Sequence, residues 1–327
     1  MWLAVFIALI AFTIAALAVG WLARSRAARL ALDEPNARSL HTVPVPRTGG
    51  IGLLLGVAAG WAVVGPRLPW PFWAAAALLI AISLLDDLRG LSAVVRLAAH
   101  LLAAALAAVA LIPAPGALPV IIIAVLAIGW MCNLYNFMDG SDGLAGGMAV
   151  SGFLFFAIAA ALAGSTQFAL LNLAVAAAAA GFLIYNFHPA RIFLGDAGAV
   201  PLGFLATTFG LIGWLQHDWT WWFPVLVFSP FIVDASVTLA RRLMSGARIW
   251  EAHRDHYYQR LVLLGLGHRG TAAAEYILMA VCGAAALWGM TLAANAQYAL
   301  LAVFGVVYLA LIIGVERAWQ TRRTPHA

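Results

Sequence analysis

Runs of mostly apolar residues recur from one end of this sequence to the other, each close to the ~20 residues a helix needs to cross a bilayer. A chain built this way cannot fold as a water-soluble globule. Of its 327 residues 65% are hydrophobic and 9% charged, against about 25% charged in ordinary soluble domains. The expected fold is therefore all-α and polytopic, one integral membrane domain over residues 1–327. Eleven spans are expected, near 2–23, 49–65, 70–85, 95–112, 118–137, 144–163, 168–187, 198–215, 220–240, 271–292 and 297–315. The first run has no basic residue before it and is too long for a signal peptide's apolar core, so it reads as a retained helix. Cys132 and Cys282 both fall inside expected spans, which argues against a disulfide framework.

The charges set an orientation. All 18 basic residues are Arg. Segments 24–48, 86–94, 188–197, 241–270 and 316–327 hold every Arg except Arg67 and Arg96, and Arg96 stands at the start of the fourth span. The alternate connections (66–69, 113–117, 164–167, 216–219 and 293–296) are minimal. Cytoplasmic loops concentrate Arg, so the N-terminus is expected outside and the C-terminus in the cytoplasm. Trp70, Trp73, Trp219, Trp221 and Trp222 fit an aromatic belt on the outer side. The net charge of +5 lies in short loops between spans, so it gives no reason to expect a nucleic-acid partner.

Five polar constellations interrupt the apolar pattern. Asp86 and Asp87 are adjacent carboxylates at a membrane boundary, where they repel and are costly to desolvate unless a cation makes them useful. A solvated helix end beside Arg89 is the plainer reading. In Asn133-Leu-Tyr-Asn136-Phe-Met-Asp139-Gly-Ser-Asp142-Gly, Asn133, Asn136 and Asp139 recur at helical spacing. Oxygen ligands running into a glycine turn suit a hard cation such as Mg²⁺. Helix capping by Asp142 explains one or two of these residues and not all five. In Asn186-Phe-His188-Pro-Ala-Arg191-Ile-Phe-Leu-Gly195-Asp196-Ala-Gly198, Asp196 precedes a helix and could cap it, or act as a metal ligand. Loop 241–270 carries six Arg and the run His253-Arg254-Asp255-His256-Tyr257-Tyr258-Gln259-Arg260. Its donors suit a diphosphate and a sugar, although a solvated charge run is the usual reading. Zinc is rejected because no third ligand stands near the two histidines. The loop from Asp33 to Gly50 is stiffened by Pro35, Pro44 and Pro46, and Arg38, His41 and Arg47 could face a phosphate.

All five constellations fall on the side expected to be cytoplasmic, and that convergence points to one active site. Loops 24–48, 86–94, 188–197 and 241–270 are expected to form it.

At these residues the chain resembles the polyprenyl-phosphate N-acetylhexosamine-1-phosphate transferases, from PNARSLHT…PRTGG through DD, NLYNFMDGSDGLAGG, NFHPARIFLGDAG and HRDHYYQRL. The resemblance implies a Mg²⁺-dependent enzyme, with Mn²⁺ as a substitute, that moves a sugar-1-phosphate from a UDP-sugar to undecaprenyl phosphate and releases UMP. It implies metal ligation by Asp196 and Asn136, catalysis at Asp86 and Asp87 where lipid phosphate meets donor, and a phosphate-binding role for Arg96. Asp142 would approach the uridine, and His256 would contact diphosphate and sugar. Arg38, His41, Arg47, Asn133, Asp139, Asn186, His253, Arg254 and Gln259 complete the expected substrate surface. Two positions depart from the common pattern: Ala199 stands where a Ser usually follows the GDxG glycine, and His256, Tyr258 and Gln259 replace an HxHH run. The second departure looks like the lipopolysaccharide branch, whose donors are UDP-N-acetyl-6-deoxyhexosamines such as N-acetylfucosamine or N-acetylquinovosamine, with UDP-N-acetylglucosamine as the alternative. Tyr257 and Tyr258 are expected to offer a flat apolar surface to the 6-methyl group. The implied location is the bacterial plasma membrane with the site facing the cytoplasm, membrane lipid around it, and a homodimer as an option.

Two rival classes fit less well. A transporter relay needs carboxylates through the membrane, whereas the carboxylates here cluster at the inner boundaries, with Asp234 inside a span. A ubiquinone-type prenyltransferase needs two DxxxD-type clusters, whereas this chain has DD and DGSDG.

Overall fold

The computed structural model describes residues 2–29, 31–35, 39–112, 117–248 and 253–323. The apolar runs form helices α1 (Trp2–Arg24), α2 (Gly49–Val64), α3 (Trp70–Arg89), α4 (Ala93–Leu111), α5 (Leu118–Phe137), α6 (Leu144–Leu162) and α7 (Thr166–Asn186). They continue as α8 (Asp196–Leu215), α9 (Trp222–Val227), α10 (Ser229–Met244), α11 (Tyr257–Leu261), α12 (Gly267–Gly289) and α13 (Ala294–Arg323). Strands β1 (Leu32–Asp33) and β2 (Val45–Pro46) pair antiparallel, Leu32 opposite Pro46. Among the described residues nine helices are long and apolar enough to cross a bilayer. The chain is an all-α polytopic membrane protein.

Three expected spans come out differently. α2 has 16 residues, about 24 Å at 1.5 Å per residue, which is short of a ~30 Å hydrocarbon core. It lies inside the bundle against α1, α7 and α8. A Cβ on Gly56 would sit 2.5 Å from the Ala11 carbonyl oxygen, so only glycine lets the two backbones approach this closely. The expected span 220–240 is broken at Phe228 into α9 and α10. Pro230 occupies the first turn of α10 and has no N–H to continue the ladder from α9. The expected span 271–292 starts early, because α11 and α12 run together from Tyr257 with a kink at Gly265, φ +115°.

The core is held by aromatics. Trp61 stacks on Phe209 at 5.6 Å, and Phe153, Phe156, Trp219, Phe223 and Phe228 interlock beside them. α13 runs along the outer side of this core, against α11 and α12, and is tied to α10 by the Tyr308 hydroxyl at Ser229 Oγ and to α9 by Gln297 at Trp222.

At one end of the bundle the connections lock together. Arg47 N–H donates to Ala31 O, Phe193 N–H to Pro46 O, Gly49 N–H to Phe193 O and Gly50 N–H to Leu194 O, all at 2.7–2.9 Å. The first loop is therefore fastened to the turn that starts α8.

Candidate active site

α3 ends at Arg89, and Gly90 (φ +67°) turns the chain. Asp86 Oδ1 accepts the N–H of Leu91, and Ser92 caps α4 by accepting from Val95 N–H. This tight reversal brings Arg96, one turn into α4, back onto α3. Its Nη1 lies 2.9 Å from Asp86 Oδ2 and 3.7 Å from Asp196 Oδ2. The Asp86 and Asp196 carboxylates themselves are in hydrogen-bond contact. Two carboxylates that close repel unless a proton or a cation lies between them, and Arg96 alone cannot neutralise both.

Asp87 does something different. Its Oδ1 accepts the Asp196 N–H at 3.2 Å and its Oδ2 the Ala197 N–H at 2.9 Å. The cap of α8 is thus supplied by α3, where sequence offered Asp196 as its own cap; both Asp87 oxygens are aimed at the free amides and positive dipole end of α8. Gly195 has φ +72°, and a Cβ there would meet Arg47 O at 2.2 Å, so the turn admits only glycine. Arg47 Nη2 donates to the Asp87 carbonyl at 3.1 Å, while its buried Nε has no hydrogen-bond partner.

Asp139 lies just past α5, beside the Gly195 amide. Burial, and then the facing Asp196 and Asp87, push its carboxyl well above the usual range. Asn136 is half-buried in the last turn of α5. Asn133, a turn earlier, donates to Gly129 O at 2.8 Å and faces the buried His100. Asp86, Asp87, Arg96, Arg47, Asp196 and Asp139 thus form one cluster, and Asn133 is used by helix packing beside it. Arg38 lies outside the described residues.

A second group joins three elements around Asp142. Asp142 Oδ2 accepts from His188 Nδ1 at 2.7 Å and from Ala190 N–H at 3.1 Å. His268 stacks on His188 at 5.3 Å, with Nδ1 against Ser141 Oγ and Nε2 against Leu40 O. Asn186 Oδ1 accepts the Gly143 N–H and its Nδ2 donates to Ile192 O, both at 3.0 Å. His41 braces the first loop, with Nε2 3.2 Å from Asp33 O and its ring edge-on to Phe193. These residues shape the site's walls.

The third group corrects an expectation. Tyr258 is fully buried, with its hydroxyl donating to Phe137 O at 3.0 Å. Tyr257 is buried between the guanidiniums of Arg241 and Arg260. Neither offers a sugar-facing surface, because Asp234 of α10 turns this segment inward: it accepts the N–H groups of Tyr257 and Tyr258 at 2.9 and 2.8 Å. Gln259 Oε1 accepts the His256 N–H at 3.3 Å. Arg254 is exposed. Burial, then His256 and Arg242, lower His253 to about 4, and an ion pair with Arg242 holds Asp255 below the usual carboxylate range although burial works against it. Asp234 and His268 were not assigned to the site from sequence. Asp234 was readable as a lone carboxylate in an apolar run, and His268 as a histidine in the glycine-flanked GHRG.

The sequence pattern of glycosyl transferase family 4 matches residues 69–214, which is α3 to α8 and carries Asp86, Arg96, Asn136, Asp139, Asp142 and Asp196. The chain is 31% identical over 272 residues to a probable undecaprenyl-phosphate N-acetylglucosaminyl 1-phosphate transferase of Bacillus subtilis, covering 76% of this chain and 74% of the relative. This chain belongs to glycosyl transferase family 4, the polyprenyl-phosphate N-acetylhexosamine-1-phosphate transferases. A decaprenyl-phosphate N-acetylglucosaminephosphotransferase of Mycolicibacterium smegmatis is 28% identical over 313 residues, 81% of this chain and 76% of the relative. A phospho-N-acetylmuramoyl-pentapeptide-transferase of Staphylococcus aureus is 32% identical over 143 residues, 44% of each chain. The family pattern ends before residues 253–260, so the third group lies outside it.

Proposed function

We propose that this family 4 member transfers an N-acetylhexosamine-1-phosphate from a UDP-sugar to a polyprenyl phosphate such as undecaprenyl phosphate, releasing UMP, at the cytoplasmic face of a bacterial plasma membrane. The observation that carries the reading is the cluster at the junction of α3, α4 and α8. Its carboxylates stand beside two guanidinium groups at the edge of an apolar bundle, where a lipid phosphate and a water-soluble anion can meet.

The residues fit Mg²⁺. Among the described residues no three His, Cys, Asp or Glu side chains form a ready cage. Mg²⁺ commonly binds through one or two carboxylates completed by water and substrate phosphate, and the contact between Asp86 and Asp196 provides such a pair. Asp196 and Asn136 would hold the ion, whose chemistry there is to neutralise the donor diphosphate; Mn²⁺ is a reasonable substitute. Arg96 and Arg47 would orient phosphate oxygens, offsetting repulsion between two anionic reactants. Asp86 would position the attacking lipid phosphate. Asp87 would hold the start of α8, and with it Asp196, in register. The walls built by Asp142, His188, Asn186, His41 and His268 would enclose the nucleotide, and His253, His256 and Gln259 would border the sugar.

N-Acetylglucosamine is the sugar that the Bacillus and Mycolicibacterium relatives' names support. The 6-deoxy alternative loses its tyrosine surface to the burial of Tyr258. The purified protein with labelled UDP-N-acetylglucosamine and undecaprenyl phosphate should yield organic-extractable label and equimolar UMP, abolished by EDTA and restored by Mg²⁺. No lipid-linked label from this donor or from 6-deoxy donors would refute the reading.

A further inference from the structure

Asp234 is a buried carboxylate that the proposed reaction leaves without a role. It sits in α10, buried, and its two oxygens take four contacts from groups that can donate. Oδ1 accepts Tyr257 N–H at 2.9 Å and Thr238 Oγ1–H at 3.2 Å, and lies 3.1 Å from His256 Nδ1; Oδ2 accepts Tyr258 N–H at 2.8 Å. A carboxylate with that many donors around it acts as an acceptor. His256 Nδ1 must then carry the hydrogen, which leaves Nε2 as the ring atom for any ligand.

We infer that Asp234 is a positioning residue, fixing the tautomer and orientation of His256 so that Nε2 faces the donor's diphosphate or sugar. The inference rests on the reading under Proposed function for what His256 touches, and on geometry alone for what Asp234 does. The arrangement couples two apolar helices to a polar loop. α10 packs on α5, α11 and α12, so Asp234 moves with the bundle. The ring it holds is further fixed by His253 at 5.0 Å, Tyr258 at 5.7 Å and Phe137 of α5 at 6.2 Å. The other ionisable groups facing this pair are Glu275 of α12 behind Asp234, Asp139 near Tyr258, and Asp255 with Arg241 and Arg242 around His253.

A cap without further role and a positioning carboxylate differ in what they do to the ring. Asp234→Asn removes the acceptor that keeps hydrogen on Nδ1 and puts an amide in its place, which releases the tautomer and tilt of the ring. A lost cap lowers turnover without changing the tautomer. The experiment compares wild type, Asp234→Asn, His256→Gln and the double variant. kcat and KM for UDP-N-acetylglucosamine are measured from pH 5.5 to 9, and ¹⁵N-histidine NMR is recorded in detergent. The His256 signal is assigned by its absence in His256→Gln. Asp234→Asn should lower kcat/KM by about 10–100-fold, as loss of a histidine's orienting partner does elsewhere. It should also move the His256 ¹⁵N signals away from the Nδ1-protonated pattern of the neutral ring. In the His256→Gln background the same change should cost less than about threefold, since two residues acting through one ring are not additive. Unchanged His256 ¹⁵N signals, or a cost that multiplies in full in the double variant, would overturn the inference. Wild type with an Nδ1-protonated His256 whose ¹⁵N pattern changes in Asp234→Asn, but with no transfer from any donor, would refute the proposed function and leave the hold of Asp234 on the ring established.

Discussion

Replacing Asp87 by asparagine, and separately Asp86 by asparagine, exploits the different surroundings of two adjacent carboxylates. Asp87 receives two backbone N–H groups of α8. Hydrogen bonds to a charged partner contribute ~1.5–3 kcal/mol each, and a neutral one about 1 kcal/mol. Asparagine keeps one acceptor and turns an NH₂ toward the second amide, so the change should cost about 2–5 kcal/mol. Near the ~2 °C per kcal/mol expected of larger domains, this is a drop of roughly 4–10 °C in the Tm of the detergent-solubilised protein. Asp86 instead touches Asp196. Its neutralisation removes that repulsion but weakens its bonds to Leu91 N–H and Arg96, so the two effects offset and Tm should change little, while lipid-linked product falls by at least ~10²-fold. Scanning fluorimetry and the labelled transfer assay on the same preparations read both quantities. If Asp87→Asn melts with wild type while Asp86→Asn is destabilised, the assignment of Asp87 to the α8 cap is wrong.

Asp196→Asn should abolish transfer without lowering Tm, because the lost charge also relieves repulsion; near-normal turnover would remove Asp196 from the metal site. Asp139 has its carboxyl raised by burial and by its acidic neighbours, so the folded state holds that proton more tightly than the unfolded one. Its contribution to stability is therefore complete below the ordinary carboxylate range and declines as pH climbs through the raised value. Asp139→Asn, which mimics the protonated form, should gain Tm relative to wild type between pH 5 and pH 8, and a constant difference would count against the shift. Reporter fusions should place Arg317 and Arg322 in the cytoplasm and Trp2 outside; both ends on one side would mean a miscounted span.

The helices were legible because apolar length alone specifies them, and the five polar constellations because polar side chains are expensive in such a sequence. The break at Phe228 was legible too, in Pro224 and Pro230 within one expected span, but hydropathy outweighs proline in a window of that length. The roles of Asp86 and Asp87 could not be separated, since which helix end faces each is a fact of packing. Nor could the burial of Tyr258 be foreseen. HRDHYYQRL reads as a solvated loop until Asp234, more than 20 positions earlier, is known to lie beneath it.

The fastening of residues 46–50 to 193–194 has a consequence for biosynthesis. The first loop leaves the ribosome about 145 residues before its partner, a delay of roughly 7–30 s at ~5–20 residues per second. During that interval Gly49, Gly50 and Pro46 have backbone groups without their eventual partners, and α2, too short to be an independent anchor, has neither α7 nor α8 to lie against. The nascent chain therefore holds an unfinished bundle until α8 emerges. Arrest before α7 would leave α1 and α2 in the bilayer without the helices that close them.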